Sequence, residues 1–187
     1  REPAAETTPD AVTLQDRLER MGAEGVTGVA MEASSHGLDQ QRLAGMELAG
    51  AVWTNLSPEH LDYHRDLAAY RAAKVRAVAR PELGFAVVNG DDPEVAHFAG
   101  AVAPGVALWR FGLAAGDVCA ESVTTRRDGI HLVAATPQGP VTIDSALVGA
   151  VNVPNLLAAV ATGLALGLDA ATVGERLSAA APVPGRM

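Results

Sequence analysis

The sequence predicts an α/β domain built on a mostly parallel sheet flanked by helices, with an antiparallel meander at one edge. Two patterns carry that expectation. Up to residue 112, short apolar runs ending in polar clusters alternate with helical segments, as in successive βα units with right-handed crossovers. From 117 to 149 the period drops to two around the turn Arg127-Asp128-Gly129, as in antiparallel hairpins. The 187 residues amount to one ordinary domain or slightly more, long enough to bury a full core.

The elements follow in order. The first helix is expected to start at Thr8 as N-cap, with Pro9 at the first helical position and Asp10 in the first turn, and to stop at Gly22 or Gly25. VTGVAMEA, 26–33, is a short apolar run ending in the polar cluster SSHG, as a buried parallel strand does. ELAGAVWTNL, 47–56, repeats the form. A helix is expected over 66–80, closed by Pro81, and GFAVVNGDD, 84–92, reads as a third buried strand. A helix near 93–99 and the strand GVALWRFG, 105–112, complete the parallel part. After the meander, 152–168 is an alanine-rich helix and 169–180 another, capped by Asp169, while the final PVPGRM is expected to be unstructured. The sequence has no internal repeat and no low-complexity linker.

Composition narrows the function. The net charge of −8, with no clustered basic patch, argues against a nucleic-acid surface, although it leaves room for a nucleotide in a local site. No run approaches the ~18 apolar residues of a membrane helix, and the amino end REPAAETTPD is charged and proline-bearing where a signal peptide is apolar. The lone Cys119 forms no internal disulfide and reads as a reduced, structural thiol. The expectation is a cytoplasmic protein with neither nucleic-acid nor membrane partners.

One stretch concentrates the chemistry. NLSPEHLDYHRDLAAYRAAKVR, 55–76, carries two histidines, several acids, two tyrosines and Lys74, the single lysine beside thirteen arginines. An arginine stays protonated, whereas a lysine sheds its proton when buried and then acts as a nucleophile or is modified. Lys74 is therefore either retained for such chemistry or is an ordinary solvated helix lysine. In open α/β sheets ligands bind beyond the carboxyl ends of the strands, where three polar clusters fall: MEASSHG, TNLSPEHLDYH and VNGDD. Glu32, His60 and Lys74 are expected to converge there. A carboxylate and an imidazole suit a divalent metal beside phosphates, and carbamylation by CO₂ would turn the lysine into a third, carboxylate-like ligand.

MEASSHGLDQQRL, TNLSPEHLDYH, YRAAK, VNGDDP, GAVNVPNLLAA and the final PGRM, in this order and spacing, resemble the central domain of the Mur ligases, a P-loop NTPase-like fold. Within that family they look most like the MurE-type branch, which adds the third amino acid to UDP-N-acetylmuramoyl-L-alanyl-D-glutamate. The resemblance runs over essentially the whole chain. It implies that Lys74 is a carbamylated lysine bridging to Mg²⁺, with Glu32 and His60 as metal ligands. It implies that Thr7, Thr8, Ser34, Gln40 and Arg42 hold the UDP-MurNAc-dipeptide, and that Asn152, Asn155 and, at the junction to the next domain, Arg186 serve ATP. The implied reaction activates the D-Glu carboxylate with the γ-phosphate of ATP and ends with attack by the amine of meso-diaminopimelate or L-lysine.

Other readings stand beside these. Ser34 and Ser35 cap the turn after a strand, and Asn152 and Asn155 open a helix, without any ligand. His60 and His64 have the spacing of a zinc pair but lack the glutamate that follows the first histidine in that motif. His36, His64, His97 and His131 read as locally satisfied histidines, and Asp91 and Asp92 as charges at a helix start. Two departures from the family pattern appear: Glu59 where an aspartate is usual, and MEAS for MEVS. The Gly-x-x-Gly-Lys-Thr-Thr phosphate loop and the flanking UDP-binding and amino-acid-binding domains are absent, so the chain reads as a fragment, inactive alone. The alternatives are a non-catalytic nucleotide-sugar-binding module of the same fold, or another superfamily enzyme such as MurF or folylpolyglutamate synthase.

Overall fold

Five consecutive residues, Phe-Ala-Val-Val-Asn, are buried on both faces of strand β2 (Phe85–Asn89), which places helices on each side of the sheet. The computed structural model describes residues 7–182, so Arg186 and the segment 183–187 lie outside the described residues. Six strands form one sheet in the order β1-β2-β3-β4-β5-β6. β1 (Gly50–Trp53), β2 and β3 (Ala107–Gly112) are parallel. β4 (Val118–Thr125), β5 (Ile130–Ala135) and β6 (Val141–Ser145) are antiparallel, with the Arg126 amide bonding to Gly129 O across the expected turn.

Two findings refine the predicted sheet. β3 and β4 meet in parallel over Phe111↔Val118 and Gly112↔Cys119, joined by a tight loop in which Asp117 accepts from the Arg110 amide. The larger difference is that 26–33 is no strand: it has no sheet partner among the described residues, and 21–30 are all exposed. Its apolar run still contributes packing, because Met31 and Ala33 lie against Leu14, Leu38 and Leu43. β1 is shorter than 47–56 because the chain leaves the sheet where Asn89 Nδ2 bonds to Thr54 O and Asp92 accepts from the Leu56 amide.

Alternation of side chains along the strands makes two cores. On one face Phe85, Val87, Phe111 and Leu132 pack against Leu157 and Val160 of α6 (Asn152–Ala165), with Val173 of α7 (Ala170–Ala179) closing the end. On the other, Trp53 and Val88 pack against Phe98 of α5 (Val95–Ala101), whose ring stacks on the Trp53 indole at 3.9 Å and 8°. None of these helices is long and apolar enough to cross a membrane, among the described residues.

The remaining helices carry the site. α1 (Ala11–Ala23) is capped by Asp10, which accepts from the Val12 and Thr13 amides; Thr8 is not the cap because its hydroxyl is engaged elsewhere. α2 (Ser35–Asp39) and α3 (Leu61–His64) are short helices that begin within the polar clusters MEASSHG and TNLSPEHLDYH. α4 (Leu67–Val75) is capped by Asp66 and ends well before Pro81. There the Ala77 and Val78 amides tighten to i−3 bonds, and Arg80 reaches Leu43 O and Met46 O.

Candidate functional site

Lys74 sits on α4 one turn after Tyr70, on the side of the helix that faces the segment running into α2. Its ammonium donates to Ala33 O at 3.3 Å and is half-buried. Burial holds its pKa below the ordinary lysine value, against the carboxylates of Glu32 and Glu59, which both pull it up. The balance enlarges the neutral-amine population, the form with a lone pair to react. His60 begins α3 in the left-handed region (φ 55°, ψ 31°), its ring edge-on to His36 at 4.9 Å and 6.4 Å from the Tyr70 ring. Glu32, Glu59 and Lys74 thus share one electrostatic environment, with His60 bordering it across Tyr70, whose phenol pKa is raised by burial and by Glu59. Glu59 entered the sequence reading only as a departure from a pattern.

One expectation about this region changes. The VNGDD cluster does not join the site: Asp91 accepts from the Leu113 amide, Asp92 from the Leu56 and Glu94 amides, and Asn89 from the Asp91 amide. These side chains are spent holding loops at the strand ends. His60 and His64 form no zinc pair, since His64 is turned inward, 5 % exposed, against Tyr70. Among the described residues no three His, Cys, Asp or Glu side chains are grouped to hold a metal on their own. Glu32 and His60 carry oxygen and imidazole donors of the kind a divalent metal takes, and the Glu59 carboxylate shares the electrostatic environment of Glu32 and Lys74.

His64 carries a pH prediction. Its Nε2 is buried without a hydrogen-bond partner, and desolvation, followed by the nearby His36, holds its pKa below the ordinary 6.5, against Asp39 and Asp62. The unfolded chain takes up this proton near 6.5 while the folded chain resists it, so stability held above that pH is lost on acidification through the folded value. Melting curves between about pH 7.5 and pH 5 are expected to show a fall that is smaller in His64→Phe, which keeps the ring packing. Parallel falls in both proteins would contradict the assignment.

The residues matched to the dipeptide substrate form one connected group, except Thr7, which is exposed at its margin. Thr8 is buried; its hydroxyl donates to Glu32 O at 2.9 Å and accepts from the Ser34 amide at 2.8 Å. Gly37 packs so closely on Thr8 that a Cβ there would lie 2.8 Å from the threonine methyl. Ser34 Oγ accepts from the Gly37 amide and caps α2, as the ligand-free reading expects. Arg42 Nη1 donates to Thr8 O at 2.6 Å, and its Nε and Nη2 donate to Gln40 Oε1 at 2.9 and 2.6 Å. Glu32 is therefore tied through its own carbonyl to the group that orients Arg42.

The asparagines lie apart from this cluster. Asn152 opens α6 without capping it: its Nδ2 donates to Val148 O at 2.8 Å, and Asn155 Nδ2 donates to Asn152 Oδ1 at 3.1 Å. Asn155 and Thr54 edge a cleft of about 440 Å³ between β1, α6 and α7, where Val52 is 45 % exposed.

Comparison with known proteins gives consistent matches. The Mur ligase middle domain matches residues 2–163. A UDP-N-acetylmuramoyl-L-alanyl-D-glutamate--2,6-diaminopimelate ligase from Alkalilimnicola ehrlichii is 42 % identical over 189 residues, covering 100 % of this chain and 38 % of that protein. The ligase of the same name from Thermosynechococcus vestitus is 43 % identical over 188 residues, again with 100 % and 38 % coverage. A solved structure of a ligase with this name superposes with a TM-score of 0.90 at 33 % identity, covering 97 % of this chain and 38 % of that one. The MurF structure from Acinetobacter baumannii superposes at 0.67 and 28 % identity over 75 % of this chain and 31 % of its own. The chain thus spans well under half the length of the curated relatives it matches.

Proposed function

Since this chain belongs to the Mur ligase family through its middle domain, we propose that it is the central, ATP-binding part of a longer ligase joining a diamino acid to UDP-N-acetylmuramoyl-L-alanyl-D-glutamate. UDP-binding and amino-acid-binding domains on either side, and the phosphate loop, complete that enzyme, which works in the cytoplasm. The two relatives named for 2,6-diaminopimelate favour that amino acid over L-lysine. The observation that carries the reading is the single lysine, half-buried, bonded to Ala33 O and within the fields of Glu32 and Glu59, with a depressed pKa.

The neutral Nζ of Lys74 attacks CO₂, forming an N–C bond as one C=O pair moves to oxygen, and a proton leaves to water. The resulting carbamate, Glu32 and His60 would hold Mg²⁺, which when bound neutralises charge on the transferred phosphoryl group. Thr7, Thr8, Ser34, Gln40 and Arg42 hold the UDP-MurNAc-dipeptide, and Arg42's fork supplies paired donors to a carboxylate or phosphate. Asn152 and Asn155 take the adenine of ATP, and Arg186 is assigned to the nucleotide by the family resemblance alone. A D-Glu carboxylate oxygen bonds to the γ-phosphorus as ADP leaves; the amine then attacks the acyl carbon, phosphate departs, and the amine proton is lost to solvent.

In the complete ligase, tripeptide formation with phosphate release is expected only when ATP, the dipeptide substrate and a diamino acid are all present. Arg42→Ala is expected to raise KM for the dipeptide substrate about tenfold to a hundredfold, the loss of a charge-assisted bond, and to leave KM for ATP unchanged. Equal effects on both would make Arg42 structural.

A further inference from the structure

Tyr63 occupies the middle of a hydrogen-bond chain whose direction is fixed at both ends. Arg42, a donor-only guanidinium, donates twice to Gln40 Oε1 at 2.9 and 2.6 Å. The Gln40 amide must then present its NH₂ group at the other side, where Nε2 donates to the Tyr63 hydroxyl at 3.3 Å. The hydroxyl proton is left for Asp39, an acceptor-only carboxylate, at 3.0 Å. No link can reverse without setting donor against donor or acceptor against acceptor, so the amide orientation of Gln40 is dictated by the chain rather than chosen by local packing.

The chain joins separate parts of the site. Tyr63 lies on α3, three residues from His60, and its ring rests on His36 at 4.2 Å. Asp39 also pairs at 3.3 Å with Arg76, just beyond the end of the helix that carries Lys74. At the far end Arg42 holds Thr8 O, and Thr8 in turn bonds to Glu32 O. Each link is exposed or half-exposed and individually weak; what the run supplies is a single orientation of the Arg42 fork.

We infer that Tyr63 is a positioning residue for the nucleotide-sugar substrate, acting through Gln40 to aim the Arg42 guanidinium at a carboxylate or phosphate of that ligand. The inference rests on the proposed substrate site. Removing only the hydroxyl leaves the ring on His36 but takes away the anchor of Gln40 Nε2, so the Gln40 side chain, still bonded to Arg42 through Oε1, shifts and lets the fork sample orientations that no longer match the ligand.

The test is a double-mutant cycle in the complete ligase with Tyr63→Phe and Arg42→Ala, reading KM for UDP-MurNAc-L-Ala-D-Glu and for ATP together with the melting temperature. Tyr63→Phe is expected to raise KM for the nucleotide sugar about fivefold with KM for ATP and the melting temperature unchanged, and to have no further effect in the Arg42→Ala background. Gln40→Met, which cuts the next link, should show the same selectivity and serves if Tyr63→Phe does not accumulate as folded protein. An unchanged KM in Tyr63→Phe while Arg42→Ala raises it overturns the inference and leaves the substrate site standing. Effects of the two variants that multiply independently overturn it as well. An Arg42→Ala variant that moves neither KM overturns the substrate site itself, and the inference with it.

Discussion

Lys74→Ala is expected to reduce ligation by the complete enzyme at least about a thousandfold, the scale set by loss of a preorganised charge at a phosphoryl-transfer centre. The melting temperature should hold or rise. A half-buried ammonium with a depressed pKa weakens the folded state at neutral pH, since between the folded value and 10.5 the unfolded chain binds the extra proton and stability climbs with pH. Alanine removes that burden. Lys74→Arg should be equally inactive, because a guanidinium neither deprotonates nor adds to CO₂. Acetate, which places a carboxylate oxygen where the carbamate would lie, should restore part of the rate in Lys74→Ala and none in Lys74→Arg. Full activity of Lys74→Ala without added anion would remove the lysine from the mechanism.

Phe98→Ala is expected to cost about 3–5 kcal/mol of stability, the usual range for deleting a fully buried aromatic ring. Phe98 is 1 % exposed and stacks face to face on Trp53, the last residue of β1. Its loss leaves a void beneath the sheet's edge strand, beside an indole nitrogen that already lacks a partner. For a chain of this size the melting temperature should fall by roughly 6–20 °C. Val12→Ala, at a residue 71 % exposed on α1, should change stability by less than about 0.5 kcal/mol and serves as the comparison. A denaturant midpoint shift in Phe98→Ala no larger than in Val12→Ala would mean that α5 does not anchor β1.

Much of the scaffold was legible because its signals are local. β2 announces itself by an unbroken apolar run, the β4–β5 hairpin by Arg127-Asp128-Gly129, and α7 by the cap Asp169. Lys74 stands out by counting alone, although the count by itself leaves an ordinary helix lysine open. The segment 26–33 was misread because an apolar run records a tendency to be buried, whereas joining a sheet requires a neighbouring strand to pair with. α2 and α3 are too short to show a helical period. Asp91 and Asp92 stand where a ligand site is expected, yet satisfy backbone amides brought to them from 22 and 36 residues away. The role of Tyr63 and the burial of His64 depend on which segments meet, which no window of sequence contains.

The proposal that Lys74 becomes an anionic ligand can be read directly by ¹³C NMR of this chain equilibrated with ¹³C-bicarbonate and Mg²⁺ near pH 8.5, because Lys74 is its only lysine. The α-amino group is the one other amine to react, and its signal is common to wild type and Lys74→Ala. The prediction is one additional carbamate resonance in the wild-type chain that is missing from Lys74→Ala and grows as pH rises toward the amine's pKa. Identical carbamate spectra from the two folded proteins would contradict it.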